Sequence, residues 1–507
     1  MLAKVDGATL YGIEAIAVQV EVDIAGGLPG FAMVGLPEST VKEARVRVQA
    51  AIENSGFVFP EGRITVNLAP AHIRKEGTGF DLPIALGILA AAGQIPEVML
   101  KTALISGELS LGGDIKPIRG ALAIGELAAK TGKKMLMVPT ANGAEAAAVQ
   151  EIVVRCAANF RDAADYFFSG DDQLAPQAEE VKNPPHVFDC DMADVCGQRL
   201  AKRALEIAAA GGHNLLMIGG PGSGKTMMAR RLASILPPME RKEALEATRI
   251  HSVTGLTMGS GLLTTRPFRA PHHSTTCAGL IGGGHGIPRP GEISVATHGV
   301  LFLDELPEFP KNVLEAMRQP LESGEVVICR ANGTVSYPCK PMFIAAMNPC
   351  PCGNFGCHRR VCRCSSIEVS RYRAKISGPL LDRIDIHIEV PPVDLKLLQA
   401  KNQEEPSEKI RERVCKARDL QQKRLGDGCI NATMSRKQLM ATSLPGEEGQ
   451  KLLLTAIERL GMSARAHDRI LRVARTIADL SDSKKVETSF IAEALQYRGD
   501  DRMLLAA

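Results

Sequence analysis

The spacing of hydrophobic and polar residues changes twice along the chain. Up to about residue 168, short alternating runs typical of strands are separated by helical segments, of which RITVNLAP (63–70) and DLPIALGILAAAGQ (81–94) are an example of each. From 189 to 395, short apolar runs end in glycine or in polar residues. From 396 onward, apolar residues recur at the i, i+3 and i+4 positions of helices. The pattern predicts a multidomain α/β protein with an α+β N-terminal domain, an α/β core and an all-α C-terminal lid.

Some segments predict individual elements. The segments 38–56 and 312–324 have the spacing of helices, and 449–480 is helical throughout its length. The segments 102–117 and 325–338 are typical of hairpins, because each contains two strand-like runs around a glycine turn.

A polar segment containing three prolines separates the first two stretches. Residues 169–188, SGDDQLAPQAEEVKNPPHVF, predict a linker. We therefore place the N-terminal domain at 1–168, the core at 189–395 and the lid at 396–507. A chain of 507 residues is too long for one hydrophobic core, which agrees with this division.

Composition limits the class of protein. The chain is 45% hydrophobic and 23% charged, as soluble globular proteins are. No apolar run approaches the roughly 20 residues of a membrane span, and the start lacks the pattern of a signal peptide, so we expect neither. The 13 cysteines are clustered and predict reduced thiols or metal ligands in a cytoplasmic protein. With a net charge of +3 and no Trp, any nucleic-acid surface must be a local basic patch.

A glycine-rich segment follows the apolar run 215–218. It has the form Gly-x-x-x-x-Gly-Lys-Thr and precedes the helix-forming sequence MMARRLASIL, which is the context of a phosphate-binding P-loop. Its residues are Gly219, Gly220, Pro221, Gly222, Ser223, Gly224, Lys225 and Thr226. The loop N–H groups would face the phosphates, Lys225 would reach the β- and γ-phosphates, and Thr226 would ligate Mg²⁺. The loop therefore predicts binding of a nucleoside triphosphate together with Mg²⁺.

Two later apolar runs end in polar residues that hydrolysis requires. GVLFLDELPEF (299–309) predicts a buried strand with Asp304 and Glu305 at its carboxyl end, where ligands lie in open α/β sheets. Asp304 would complete the Mg²⁺ shell, and Glu305 would polarise the attacking water. FIAAMNP (343–349) ends on Asn348, which would lie beside the γ-phosphate and help to position water, the role called sensor 1. The carboxylate pair predicts hydrolysis rather than binding alone.

Five cysteines lie in CPCGNFGCHRRVCRC (350–364), which we call the cysteine knuckle. Two C-x-C pairs could supply a closed four-thiolate zinc site, the alternative being free thiols. The candidate ligands are Cys350, Cys352, Cys362 and Cys364, with Cys357 or His358 as a substitute. The knuckle and the residues after it also form a basic patch, which predicts contact with DNA phosphates unless it is merely a solvated surface. The basic residues are Arg359, Arg360, Arg363, Arg371, Arg373 and Lys375.

The stretch 249–298 is rich in Gly, Pro, His and Ser and has little periodicity. A long irregular stretch inside a compact domain is usually functional. We expect it to contact nucleic acid or a neighbouring subunit. Two adjacent histidines do not form a metal pair on a helix face, so we do not expect them to bind a metal. The candidate contact residues are Arg266, Arg269, His272, His273 and Arg289.

Further segments resemble AAA+ ATPases. DMADVCGQRLAKRALEIAAAGG (191–212) resembles their adenine-facing segment. The matching positions are Val195, Gly197 and Gln198. Leu-x-Arg-Φ-Asp around Arg383 resembles the arginine finger of the MCM and magnesium-chelatase groups, which reaches the γ-phosphate on a neighbouring subunit and implies an oligomer. Arg465 in Ser-Ala-Arg-Ala is the sensor 2 candidate, with Arg469 as the alternative one turn on.

The N-terminal domain resembles the Lon-protease-like fold, also found at the end of RadA-type recombination ATPases. The resemblance rests on KEGTGFDLPIAL (75–86) and SGELSLGGDIKPIRG (106–120). Gly79 and Leu122 occupy the positions of the nucleophilic Ser and its Lys partner, which implies that the domain has no peptidase activity. The nearest residues of these two types are Ser106 and Lys116. A structural or DNA-contacting role is implied instead, with loop-borne candidates Arg74, Lys75 and Arg119.

Together these features resemble the ComM (YifB) family of magnesium-chelatase-like AAA+ ATPases over essentially the whole chain. That family is linked to branch migration of DNA in natural transformation and recombination. The resemblance implies an ATP-driven, hexameric helicase or translocase that acts on single-stranded or branched DNA. A chelatase-type motor that remodels a protein partner is one alternative, and an ATP-dependent Lon-type protease is the other. The missing Ser–Lys pair argues against the protease, and DNA-stimulated ATPase activity would separate the first two.

Overall fold

The computed structural model describes residues 1–180, 188–257, 260–284, 286–330, 333–357, 360–392 and 404–498. The first unit is a mixed sheet with helices. Its strands are β1 (Leu2–Tyr11), β2 (Glu14–Ala25), β3 (Gly30–Val34), β4 (Arg63–Ala69), β5 (Ala103–Ile105), β6 (Glu108–Leu109), β7 (Ile115–Lys116), β8 (Met135–Pro139) and β9 (Val153–Ala157). Its helices are α1 (Ser39–Lys42), α2 (Ala44–Asn54), α3 (Asp81–Ala91), α4 (Glu97–Leu100), α5 (Ala121–Lys130), α6 (Gly143–Ala146) and α7 (Phe160–Ser169), with a 3-10 helix at Thr140–Asn142.

Seven of these strands form one sheet in the order β3-β4-β2-β1-β5-β8-β9. β1 and β2 pair antiparallel, from Leu2 opposite Asp23 to Tyr11 opposite Glu14. Every residue of α3 is buried, and this helix packs against β1 and β2. A helix that is covered on all sides has to be apolar on all sides, so the buried helix predicted at 81–94 is confirmed.

Two local predictions in this unit need correction. In the segment 102–117, β5 joins the main sheet in parallel with β1 and β8, and only β6 and β7 form a hairpin. The helix predicted at 38–56 is divided at Glu43 into α1 and α2. Within the segment predicted as a linker, residues 176–178 run along β9, where the N–H of Cys156 donates to Pro176 O at 3.0 Å and the N–H of Ala178 donates to Val154 O at 2.9 Å.

The second unit contains a five-stranded sheet. The strands of this unit are β10 (Leu215–Ile218), β11 (Phe268–Arg269), β12 (Gly282–Gly283), β13 (Arg289–Pro290), β14 (Val300–Leu303), β15 (Glu325–Arg330), β16 (Gly333–Pro338), β17 (Met342–Met347) and β18 (Ile386–Glu389). Its helices are α8 (Arg199–Gly211), α9 (Lys225–Ile235), α10 (Arg241–Thr254), α11 (Cys277–Leu280), α12 (Glu292–Val295), α13 (Lys311–Ala316), α14 (Pro320–Ser323), α15 (Ser366–Arg373) and α16 (Gly378–Leu381), with 3-10 helices at Met192–Asp194 and Leu306–Glu308.

The sheet has the order β11-β14-β17-β10-β18, and its paired strands are parallel. All residues of β10, β14 and β17 are buried, which explains why their sequences are continuous apolar runs. The hairpin predicted at 325–338 is confirmed as β15 and β16. The helix predicted at 312–324 is interrupted before Pro320, because a proline inside a helix cannot donate a backbone hydrogen bond.

The third unit is helical, as predicted. Its helices are α17 (Ser407–Leu425), α18 (Arg436–Thr442), α19 (Glu447–Leu460), α20 (Ala464–Leu480) and α21 (Thr488–Gln496), with a 3-10 helix at Asn431–Thr433. The segment 449–480 forms two helices, and Gly461 ends the first of them in a left-handed conformation. Across the residues described above, no helix has both the length and the apolar character that a membrane span needs.

The N-terminal unit docks on α10 through buried polar groups. The Glu145 carboxylate accepts hydrogen bonds from Ser252 and, at 3.0 Å, from Thr257. It also accepts one from the N–H of Leu122 at 3.0 Å. Burial raises the pKa of Glu145, and these hydrogen bonds work in the opposite direction. The two units therefore share a satisfied polar network at their contact.

The lid docks on the core around one buried histidine. Nδ1 of His213 lies 3.2 Å from Oδ2 of Asp385, and Nε2 lies 2.8 Å from Oγ1 of Thr476 on α20. Burial alone would raise the pKa of Asp385, but the hydrogen bond with His213 and the neighbouring arginines lower it to about 2. The Arg469 guanidinium, 3.8 Å from Oδ1 of Asp385, is one of these groups. This contact joins α20 of the lid to the start of β18.

Candidate nucleotide-binding site

The glycine loop joins β10 to α9 in the middle of the parallel sheet. Helix α9 begins at Lys225, directly after Gly224, whose φ of 90° suits glycine alone. A Cβ atom at Gly219 would lie 2.3 Å from the carbonyl oxygen of Val390, the residue after β18. Both positions therefore require glycine. A loop without side chains at these points lets its N–H groups approach a phosphate closely.

Lys225 is buried inside this loop, with 9% of its surface exposed. Its Nζ donates to the carbonyl oxygens of Gly219 at 2.6 Å and Gly220 at 3.0 Å, and to Oδ1 of Asn348 at 3.4 Å. Burial lowers the pKa of Lys225, and the carboxylates of Asp304 and the next residue partly offset this effect. The predicted P-loop lysine and the predicted sensor 1 amide are thus in contact.

The loop borders a cavity of about 460 Å³. The residues that line it are Pro221, Gly222, Ser223, Gly224, Lys225, Thr226, Met227, Asp304, Glu305, Met347 and Asn348. The loop, the two carboxylates and the amide were all identified from sequence, and one cavity brings them together. Met227 and Met347, which also line the cavity, were not identified from sequence, because nothing in their sequence context distinguishes them from core residues.

Thr226 and Asp304, the predicted Mg²⁺ ligands, are adjacent. Oγ1 of Thr226 donates to Oδ2 of Asp304 at 2.6 Å, and Oδ1 of Asp304 accepts from the N–H of Glu305 at 3.0 Å. Hydroxyl and carboxylate oxygens are the donors that Mg²⁺ prefers. The donor set therefore fits a magnesium ion bound together with a nucleotide.

Glu305 adopts a left-handed backbone, with a φ of 52°. Its side chain is 55% exposed, and Oε2 lies 3.6 Å from Nδ1 of His273. The His273 ring lies against that of His272 at an angle of 35°, with centroids 4.0 Å apart, and is nearly perpendicular to the Phe309 ring. Sequence reasoning assigned His273 to nucleic-acid or subunit contact, whereas the structure places it beside Glu305. The signal was available in the topology, because His273 follows β11, the parallel neighbour of β14.

The cysteine knuckle gathers four thiols. The Sγ atoms of Cys350, Cys352, Cys362 and Cys364 all lie within 4.8 Å of one another. Cys350 Sγ accepts a hydrogen bond from the N–H of Phe355 at 3.3 Å. Backbone hydrogen bonds from Arg363 and Asn354 lower the pKa of Cys352 to about 6. Four sulfur ligands so arranged fit a tetrahedral zinc ion. Cys357 is outside this group, and His358 and Arg359 lie outside the described residues.

Comparison with known proteins is consistent with this arrangement. Three family models match the chain. The model described as magnesium chelatase, subunit ChlI, matches residues 191–398, and the model described as subunit ChlI of Mg-chelatase matches residues 20–142. The model of the C-terminal region of magnesium chelatase subunit ChlI matches residues 404–498. The chain is 45% identical to the competence protein ComM of Haemophilus influenzae, across 99% of this chain and 98% of that protein. It is 41% identical to the uncharacterized protein YifB of Salmonella typhimurium, with the same coverage. The chain belongs to the ComM/YifB family of magnesium-chelatase-like proteins.

Part of the chain is also similar to a magnesium-chelatase subunit. The chain is 25% identical over 194 residues to the magnesium-chelatase 38 kDa subunit of Rhodobacter capsulatus, which covers 35% of this chain and 54% of that protein. The family relationship supports an AAA+ ATPase with ATP and Mg²⁺ as its ligands. This agrees with the chemistry of the cavity.

Arg383 lies away from the nucleotide cavity of its own chain. Its guanidinium pairs with Glu322 and donates to Pro379 O at 2.6 Å, and its side chain is 11% exposed. It lines a second cavity of about 450 Å³ together with Arg318. Arg383 is therefore not placed to contact a nucleotide bound by its own P-loop.

The predicted adenine and sensor 2 residues do not line the cavity in the described part of the chain. The N–H of Gly197 donates to Glu404, and the Gln198 amide donates to Pro391 O at 2.6 Å. Val195 is buried. Arg465 is exposed in the first turn of α20, whereas Arg469 belongs to the core–lid contact.

The structure corrects several predicted DNA contacts. Arg266 donates to Pro237 O, Pro238 O and His298 O and pairs with Glu243, so its guanidinium is used inside the core. Arg269 forms a two-pronged pair with Glu292. These arginines have acidic partners from other elements, which local sequence does not reveal. Of the described candidates in the stretch 249–298 and in the basic patch of the cysteine knuckle, those that remain exposed are His272, Arg289, Arg360, Arg363, Arg371 and Lys375.

The residues that match the Lon protease positions are structural. Leu122 is buried, and a Cβ atom at Gly79 would lie 2.7 Å from Oγ of Ser106. Ser106 donates to Gly79 O at 3.3 Å, whereas Lys116 pairs with Asp114 at 3.1 Å. The three basic residues predicted as DNA contacts in this domain have different surroundings. Lys75 is fully buried, Arg74 pairs with Glu38, and Arg119 is exposed.

We expect His273→Ala to raise the basal ATP turnover up to about fivefold without changing KM for ATP. A protonated imidazole competes for the carboxylate that is predicted to polarise the attacking water, and an exposed ion pair of this kind contributes up to roughly 1 kcal/mol, or about fivefold in rate. His273 does not line the cavity, so nucleotide affinity is unaffected. Steady-state ATPase kinetics measure both parameters. His272→Ala is the control, and a lower turnover in His273→Ala would contradict the expectation.

Proposed function

We propose that this ComM/YifB protein is an ATP-driven AAA+ motor that acts on DNA, as a hexameric branch-migration helicase or translocase in natural transformation or homologous recombination. The observation that carries the proposal is the convergence of Lys225, Thr226, Asp304, Glu305 and Asn348 on one cavity. The step from ATPase to DNA is supported by the competence protein among the relatives and by the exposed arginines of the cysteine knuckle.

The proposed mechanism uses the ends of three adjacent strands. The loop N–H groups and the Lys225 ammonium bind the β- and γ-phosphates and orient the γ-phosphate for attack. Thr226 and Asp304 would hold Mg²⁺, which neutralises charge on the phosphates. Glu305 accepts a proton from the attacking water, and the Asn348 amide, next to the ammonium, orients that water.

Two substitutions should separate binding from hydrolysis. Lys225→Ala should abolish ATP binding, because it removes the cation at the phosphates. Glu305→Gln should retain ATP affinity but lose turnover by about 10²–10⁴-fold, the usual contribution of a general base. Fluorescent-nucleotide binding and phosphate release measure the two properties. Wild-type ATP affinity in Lys225→Ala would exclude the P-loop assignment.

We also propose that Arg383 acts on the nucleotide of a neighbouring subunit. Its position in a cavity separate from the P-loop supports this role, since a finger in trans must be remote from its own site. Such an arginine stabilises charge on the γ-phosphate in the transition state. Hydrolysis would then require the oligomer.

Mixing two inactive variants tests the finger. Arg383→Ala should bind ATP but hydrolyse it ~10³-fold or more slowly, the loss typical of an arginine finger. Mixing it with Lys225→Ala should recover part of the activity, because one subunit supplies the P-loop and the other the arginine. The control mixture is Lys225→Ala with Glu305→Gln, in which no composite site is intact. Recovery in neither mixture would argue against action in trans.

The exposed arginines of the knuckle supply the test of the DNA interface. Single-stranded or forked DNA should stimulate wild-type ATPase activity, and Arg360→Glu/Arg363→Glu should lose most of the stimulation, since reversed charges repel phosphates. The control double variant, Arg436→Glu/Lys437→Glu, changes the net charge by the same amount at exposed positions of the lid and should keep the stimulation by DNA. Stimulation that is equal in both double variants would move the interface elsewhere.

A chelatase-type motor that remodels a protein partner is the second candidate. The three chelatase family models and the chelatase relative support it. ATPase activity that is indifferent to DNA would favour this candidate. A Lon-type protease is not supported, since Gly79 stands at the position of the nucleophile and has no hydroxyl group that could attack a peptide bond. The resemblance of the N-terminal domain to the Lon-protease-like fold stays a proposal.

A further inference from the structure

The cysteine knuckle lies directly against the P-loop. A Cβ atom at Gly353 would be 2.5 Å from Cδ and 2.8 Å from Cγ of Pro221, and a Cβ atom at Gly220 would be 3.1 Å from Gly353 O. The knuckle also follows closely on β17, because only Pro349 separates Asn348, at the end of that strand, from Cys350. Residues on two sides of the nucleotide cavity therefore depend on where the knuckle lies.

A second set of contacts ties the knuckle to α15. Nε and Nη2 of Arg373 both donate to Pro349 O at 3.2 Å. The same guanidinium lies 5.0 Å from the centre of the Phe355 ring, and the N–H of Phe355 donates to Cys350 Sγ. The chain around Asn348 is thus clamped between Arg373 and the thiol cluster.

Regular secondary structure does not hold the knuckle in place. Between β17 and α15 the described residues form neither helix nor strand. Two of its backbone hydrogen bonds close short turns, from the N–H of Gly353 to Cys350 O and from that of Cys357 to Asn354 O, both at 3.0 Å. Four cysteine sulfur atoms this close can all ionise only if a cation lies between them, because neighbouring thiolates repel one another. Segments of this kind fold only with their metal.

We propose that the four-thiolate centre, loaded with a divalent metal of the zinc type, is a positioning element of the nucleotide site. The loaded knuckle presses Gly353 against Pro221 and fixes the main chain that carries Asn348. Nucleotide affinity then depends on metal occupancy. The inference rests on the proposed ATPase and deepens it, since it makes the metal centre a part of the site rather than only a support for the basic patch.

The contact can be broken while all four cysteines remain. Gly353→Ala inserts a methyl group into the Pro221 ring, so we expect one zinc per chain, as in wild type, but fluorescent-nucleotide affinity weaker by about tenfold or more. Gly356→Ala is the matched control. Its φ of 75° is nearly the same as the 76° of Gly353, and no neighbour lies within 4 Å, so it shares the backbone strain without the contact. Equal affinity in the two variants would overturn the proposal.

Metal removal supplies the second arm. Cys362→Ser should lose zinc and bind nucleotide weakly, whereas Cys329→Ser, at an exposed thiol of β15, should keep both properties. Chelation of wild-type protein should weaken nucleotide binding, and added Zn²⁺ should restore it, which excludes simple misfolding. The proposal would be overturned if the purified wild-type protein contained no zinc, or if the chelated protein bound nucleotide with unchanged affinity. Zinc-loaded wild type that binds no nucleotide would instead overturn the proposed function itself.

Discussion

The nucleotide site depends on the burial of one ammonium group at the carboxyl edge of a parallel sheet. A buried cation is unfavourable unless oxygen atoms surround it, and Lys225 is buried. The carbonyl oxygens of the loop and the Asn348 amide supply these atoms, with two carboxylates nearby. Parallel strands make this possible, because their carboxyl ends meet at the same edge. The tight glycine loop and the position of both carboxylates follow from the same requirement.

Strand β18 links this site to the lid. Val390, directly after the strand, packs its carbonyl oxygen where Gly219 has no side chain, and Asp385, directly before it, pairs with His213. The histidine in turn meets Thr476 of the lid. Removing one member of such a network would leave a buried polar group unpaired, so the network favours one arrangement of lid and core. Glu145 has the corresponding role between the N-terminal unit and α10.

Two segments with candidate DNA contacts also lie against residues of the candidate nucleotide site. His273 lies beside Glu305, and Gly353 of the cysteine knuckle packs on Pro221. The proposed motor requires coupling between its partner-binding surface and the nucleotide site, and packed side chains of this kind can carry such coupling. The exposed faces of the same segments, His272 and Arg363 among them, are available to a partner.

The sequence by itself determined the apolar core strands, the buried helix α3, the P-loop and the Asp304–Glu305 pair, because periodicity and motif spacing are local properties. Only the tertiary structure decided which charged side chains are available. Arg266 pairs with Glu243, Lys75 is buried, and His273 lies next to Glu305 rather than on an open surface. Such partners come from elements distant in sequence, and the folding of the chain alone brings them together. The same holds for the interrupted hairpin at 102–117, where a place in the main sheet outweighed the local turn.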